Sequence, residues 1–82
     1  MQAVREALAI GTRVRLRCDV DRYPDFVARA GATGTVVLND AYLLAVRMDA
    51  PIRGAEEWDN QVEWRWAEDD AEVVAEDVEI LA

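Results

Sequence analysis

The chain has no histidine and no lysine, and its 82 residues include a single cysteine, Cys18. Each absence closes off some chemistry. Histidine is the commonest general base, the commonest zinc nitrogen ligand and the usual switch near neutral pH, so all three roles would have to fall elsewhere. One cysteine cannot form an internal disulfide, so nothing implies an oxidising compartment. With no imidazole to activate it, Cys18 is not expected to be a nucleophile either. No apolar run approaches the roughly 18–20 residues that cross a bilayer. The opening MQAVREALAIG carries Glu6 and lacks both a long apolar region and a small-residue cleavage site, so it does not read as a signal peptide. The expectation is a cytoplasmic protein with no membrane segment.

Positive charge is scarce and comes only from arginine. Nine arginines face 17 acids, for a net charge of −8. Residues 1–55 hold eight arginines and six acids, a balance of +2; residues 56–82 hold one arginine and eleven acids, a balance of −10. A nucleic-acid binder normally presents a basic patch, because phosphate contacts dominate its affinity. The C-terminal third would repel a polyanion, so direct nucleic-acid binding is not expected.

Hydrophobic residues make up 52% of the chain, which argues against disorder despite the charge. The length suits one domain, 1–82, with one modest core that buries about 60–65% of the unfolded surface. Residues 2–9 read as a short helical turn, with Val4, Leu8 and Ala7 on one face and Gly11 ending it. TRVRLRCDV then alternates: Val14, Leu16, Cys18 and Val20 on the inward face, Arg13, Arg15, Arg17 and Asp19 outward. Residues 21–34 carry Pro24, Gly31 and Gly34 without a sustained period, as expected of a long loop. TVVL is a second strand. Asn39-Asp40 is a tight turn, and YLLAVRMD a third strand with Leu44, Val46 and Met48 inward. After a break at Pro51 and Gly54, EWDNQVEWRW alternates again, placing Trp58, Asn60, Val62, Trp64 and Trp66 on one face. A helical or 3₁₀ turn within 68–76 and a short last strand, DVEIL, close the chain.

These elements describe an all-β fold: a small five-stranded SH3-like barrel with a short N-terminal helical turn and a helical or 3₁₀ turn before the last strand. A five-stranded OB-type barrel is the alternative. It usually needs a helix between its third and fourth strands, and the stretch beginning Pro51-Ile52-Arg53-Gly54 leaves little room for one. At GTRVRL, YPDFVARAGATGTVV, AVRMD and GAEEWDN the chain resembles the small SH3-like domains of bacteria and their phages. From GTRVRL to GATGTVV it is also similar to the SH3-like domain of nitrile hydratase β-subunits. That likeness covers about residues 11–64 and consists of turns and strand starts. It implies the fold and a partner-docking role, and no activity, because that enzyme's metal ligands belong to its other subunit.

Several groups are candidates for a site. Glu56, Glu57, Asp59 and Glu63 could bind calcium, but they lack the EF-hand spacing. On one strand face Asp59 and Glu63 would stand about 13 Å apart, too far for one ion. Trp64 is expected in the core wall, whereas Trp58 and Trp66, near the strand ends, could be packed or exposed. Asn60 on the inward face needs partners and is expected to bond the backbone of residues 24–34. Arg13, Arg15 and Arg17 could meet phosphate, but pairing with the protein's own acids is the expectation. Gly31 and Gly34 lack the ending of a phosphate loop and are expected in turns at positive φ.

No constellation of nucleophile, base and orienting partner emerges, and neither enzyme activity nor a cofactor or metal is expected. The expected function is a non-enzymatic module that binds a protein with a basic surface, as a phage- or mobile-element-encoded accessory or regulatory protein. Its contact surface would comprise Tyr23, Asp25, Phe26, Asp40, Tyr42, Glu56, Glu57, Trp58, Trp66, Asp69 and Asp70, with the loops forming one contiguous face. The alternative is an acidic decoy that imitates nucleic-acid charge and inhibits a DNA- or RNA-binding protein. A monomer or weak homodimer fits either role.

Overall fold

The alternation of TRVRLRCDV shapes a strand for only half its length. β1 (Arg13–Leu16) turns Val14 and Leu16 into the core and Arg13 and Arg15 outward. Residues 17–19 then turn away, and Cys18, expected inward, is exposed. The computed structural model describes residues 2–22, 24–69 and 71–81. Its elements are α1 (Gln2–Ala7), β1, β2 (Val20–Arg22), β3 (Phe26–Ala28), β4 (Thr33–Asn39), β5 (Leu43–Met48), a 3₁₀ turn (Glu56–Trp58), β6 (Gln61–Arg65), α2 (Ala71–Asp77) and β7 (Val78–Ile80). The expected Val4 side chain of the first helical face lies outside the described residues.

Five strands form one antiparallel sheet in the order β6-β5-β4-β1-β7. The region expected to be an irregular loop folds instead into a second, two-stranded ribbon, β2-β3, with Arg22 opposite Phe26 and Val20 opposite Ala28. The five-stranded sheet is not closed into a barrel. Its edges are β6 and β7, and among the described residues no pairing joins them. A three-residue β7 has little ladder to offer, and the free side of β6 is met by a side chain from β2.

The core lies on one face of the sheet. Leu44, Val46 and Met48 of β5 point inward as their spacing predicts, with Val62 and Trp64 of β6 beside them. Trp64 is fully buried, and its Nε1–H donates to Asp77 Oδ2 at 3.0 Å. Burying an indole of about 150–250 Å² is worth about 4–6 kcal/mol, an upper value since an unfolded chain is already partly compact. Leu8 after α1 and Val74 of α2 add to the same cluster. Acidic Glu72 sits in the first turn of α2, where the helix dipole favours it.

Gly31 has φ +89, as a turn requires, but Gly34 does not sit at positive φ. It lies in β4, where a Cβ would come within 2.6 Å of Arg47 O and 2.8 Å of Val46 Cγ1. Close approach of β5 is what demands glycine there. Arg13 pairs with Asp49 at 2.6 Å and Arg15 with Glu79 at 3.5 Å, as expected. Arg17 differs: its Nε donates to the carbonyls of Ala75 and Val78.

Candidate interaction groove

EWDNQVEWRW was expected to be one strand, and its first half is not. Residues 56–58 coil into the 3₁₀ turn, and Asp59 and Asn60 follow at φ 55 and 60. Asp and Asn tolerate this left-handed backbone better than other side-chain-bearing residues. Two in succession reverse the chain and prevent a strand from forming before Gln61. Asn60 does pin a loop, but the one formed by residues 48–52, not 24–34. Its Nδ2 donates to Met48 O at 3.0 Å and Ala50 O at 2.9 Å, while its Oδ1 accepts from Ile52 N–H at 2.7 Å. Those carbonyls and that amide belong to the chain leaving β5, which is the nearest backbone once the strand is broken.

The loop so held is pressed against the β2-β3 ribbon. At Gly54, φ +97, a Cβ would collide with Asp25 O and lie 3.2 Å from Phe26 Cβ. Glu56 Oε2 accepts from Gly54 N–H at 2.9 Å and steadies the approach. Between ribbon, 3₁₀ turn and β6 lies a groove of about 140 Å³, lined by Arg22, Asp25, Phe26, Trp58, Gln61, Glu63 and Arg65. Trp58 is 45% exposed, and Phe26 is half-buried against the core. Arg22 crosses the groove: its Nη2 donates to Glu63 O at 2.9 Å, and its guanidinium sits 5.5 Å from the centre of the Trp64 ring. A volume of this size is below the roughly 300–1,000 Å³ of small-molecule sites, and suits one or two side chains of a partner.

The residues expected on one contiguous face separate into two groups. Asp25, Phe26 and Trp58 line the groove, with the exposed Glu56 and Glu57 beside Trp58 on the 3₁₀ turn. Asp40, Tyr42 and Trp66 gather at the opposite end of β6, about 16 Å away along five strand residues. There Trp66 N–H donates to Tyr42 O at 3.0 Å, and Arg5 lies 4.6 Å from the Trp66 ring centre. Asp40 Oδ1 accepts from the N–H groups of Leu43 and Tyr42, which hold its carboxyl below the usual range. Tyr42 is highly exposed, while Trp66 is half-buried with its Nε1 unpartnered among the described residues. Asp69, half-buried, donates its N–H to Arg65 O at 2.7 Å in the turn after β6. Tyr23 and Asp70 lie outside the described residues.

Cys18 Sγ donates to Asp77 Oδ1 at 3.3 Å, and this bond, with burial second, raises the thiol's pKa. The leading cause is a carboxylate rather than an apolar core. Among the described residues no group of three or more acids and Cys18 is placed to hold a metal ion. Nor, among them, is any helix long and apolar enough to cross a membrane. Sequence reasoning missed Arg22, Gln61, Glu63 and Arg65 as groove residues. For the last three the signal was present, since they are the outward set of an alternating strand; Arg22 had none, because its strand was not foreseen. No family model matches the chain, and no curated protein or solved structure is significantly similar to it.

Proposed function

We propose that this protein is a small, non-enzymatic interaction module of SH3-like architecture, cytoplasmic and of bacterial or phage type, that binds a partner protein with a basic surface. The groove beside Trp58 is the binding site. The observation that carries this reading is the exposed Trp58 indole, set with Phe26 in a groove that also holds the carboxylates of Asp25 and Glu63. Tryptophan set in a pocket is among the usual anchors of protein interfaces. The strand order β6-β5-β4-β1-β7, the hairpin in the first long connection and the helical turn before β7 support the SH3-like architecture.

The test is affinity capture from lysate of the source cell, with wild type beside a Trp58→Ala, Phe26→Ala double variant of verified fold. A specific partner that the double variant loses supports the module. Capture of the same partner by both proteins, or of none, sinks it.

The decoy reading draws on exposed acids at Glu68, Glu72 and Glu76. It is the weaker of the two, because Glu79 is taken by Arg15 and Asp77 by Cys18 and Trp64. Reversing the charge of Glu68, Glu72 and Glu76 should leave partner binding within about twofold if the groove is the site. A steep loss that tracks salt would favour the decoy.

A further inference from the structure

We propose that the outer edge of β6 receives one strand of the partner, with an arginine opposite Glu63. This rests on the groove being the binding site and adds the mode of recognition. The register of β5 and β6 decides which backbone groups are free. Met48 N–H donates to Asn60 O and Trp66 N–H to Tyr42 O, so the even-numbered residues of β6 turn their amides toward β5. The N–H groups of Gln61, Glu63 and Arg65 therefore point away from the sheet, and none has a partner among the described residues. Glu63 O accepts from Arg22, and Arg65 O accepts from the Glu68 and Asp69 amides.

The groove runs along this edge, lined by those same three side chains, with Phe26 and Arg22 of the ribbon opposite. Arg22 fills the space a strand would occupy. A peptide residue opposite Glu63 would donate its own N–H to Glu63 O in place of Arg22, and accept from Glu63 N–H. Strand addition of this kind draws affinity from the backbone and selectivity from alternate side chains.

Charge identifies the occupant. Asp25 and Glu63 have no ion-pair partner among the described residues, and Asp59 and Glu57 flank the exposed Trp58. Of the two arginines in the lining, Arg22 is engaged by Glu63 O and the Trp64 ring and Arg65 stands at the end of β6 away from Trp58, so Asp25, Glu57, Asp59 and Glu63 leave the charge around Trp58 acidic. A second copy of this chain is disfavoured by mutual repulsion at −8 each. An extended segment bearing arginine answers both the open amides and the carboxylates.

The probe is the capped peptide Ac-Thr-Val-Arg-Val-Thr-NH2, titrated at millimolar concentration into isotopically labelled protein while amide chemical shifts are followed. Shifts should concentrate on Gln61, Glu63, Arg65 and the Trp58 indole. N-methylation of the peptide's arginine should weaken binding roughly tenfold or more, because that amide faces β6. N-methylation of the second valine, whose amide faces away, should change it less than about threefold. Exchanging arginine for glutamine should also weaken it. An Arg22→Met variant should bind more tightly, since the edge is already vacated. The proposal is overturned if the two N-methyl peptides bind alike, if Arg22→Met binds more weakly, or if the β6 amides do not move. It is also overturned if those amides shift with protein concentration alone, the mark of a second copy. A partner lost with Trp58 and Phe26 while the N-methyl peptides bind alike would leave the module standing and remove only the strand.

Discussion

Asn60 serves two purposes at once: its backbone takes a left-handed turn at φ 60, and its amide satisfies three backbone groups of the loop after β5. The two can be separated. Asn60→Gly keeps the backbone conformation and loses three hydrogen bonds, an expected loss of about 2–3 kcal/mol. Asn60→Ala loses them as well and adds left-handed strain of about 1 kcal/mol. Urea unfolding should rank wild type above Gly and Gly above Ala; an Ala variant at least as stable as Gly would show that the turn carries no strain. Cys18 allows a second test at this scale. The thiol is exposed, yet its bond to Asp77 raises its pKa, so it should react slowly with iodoacetamide at neutral pH. Asp77→Asn removes the negative charge and leaves an oxygen for the Trp64 indole. The pH of half-maximal alkylation should then fall, and an unchanged profile would mean that Asp77 does not govern the thiol.

At the scale of elements, the groove depends on how closely the 3₁₀-bearing loop sits on the β2-β3 ribbon. Gly54 and Gly11 share nearly the same φ, +97 and +96, but an added Cβ at Gly11 meets nothing within 4 Å. Gly11→Ala should therefore report backbone strain alone, about 1–2 kcal/mol. Gly54→Ala carries the same strain plus collision with Asp25 O, and should lose at least about 1 kcal/mol more, while weakening any ligand of the groove. Equal losses would mean that loop and ribbon are not in contact. Such contacts explain what was legible beforehand. Period-two patterning identified β5 completely and the inward pair Val62 and Trp64, because side-chain burial sets that pattern. It overran at Cys18 and at Trp58, where polar alternation continues through residues that the backbone takes out of the strand. In both places the chain turns for reasons outside the pattern: the Asp59-Asn60 reversal, and the Arg17 bonds to α2 and β7. The division of the candidate surface into two ends of β6 has another origin: one contiguous face was expected of the loops, and the sheet holds those loops apart.

For the molecule as a whole, charge acts in two directions. A net −8 opposes compactness near neutral pH, and lowering the pH toward the pI of about 4.3 relieves it. Against this stands Asp49, which joins β1, β4 and β5 on the outer face. Arg13 reaches both its oxygens at 2.8 and 2.6 Å, and Thr33 Oγ1 lies 2.6 Å from one of them. The Arg13 bonds, with Thr33 second, hold its carboxyl well below the usual carboxylate range. A depressed folded pKa contributes stability that is complete above the unfolded value, about 3.9, and is lost as pH falls through the folded one. Asp19, bonded by Ala30 N–H and Arg29, and Asp40 shift in the same direction. Taking the difference between wild type and Asp49→Asn cancels most of the general repulsion, since both proteins share the other acids. That difference in melting temperature should favour wild type and stay constant from pH 7 to about 5. Below about pH 4 it should narrow steadily, because the unfolded chain then takes up a proton at Asp49 that the folded protein, bonded to Arg13, does not. Thermal melts of both proteins at matched ionic strength, taken in steps from neutral pH to about pH 2.5, read this directly. A gap that persists unchanged to the acid end would show that the Arg13–Asp49–Thr33 cluster contributes through shape alone.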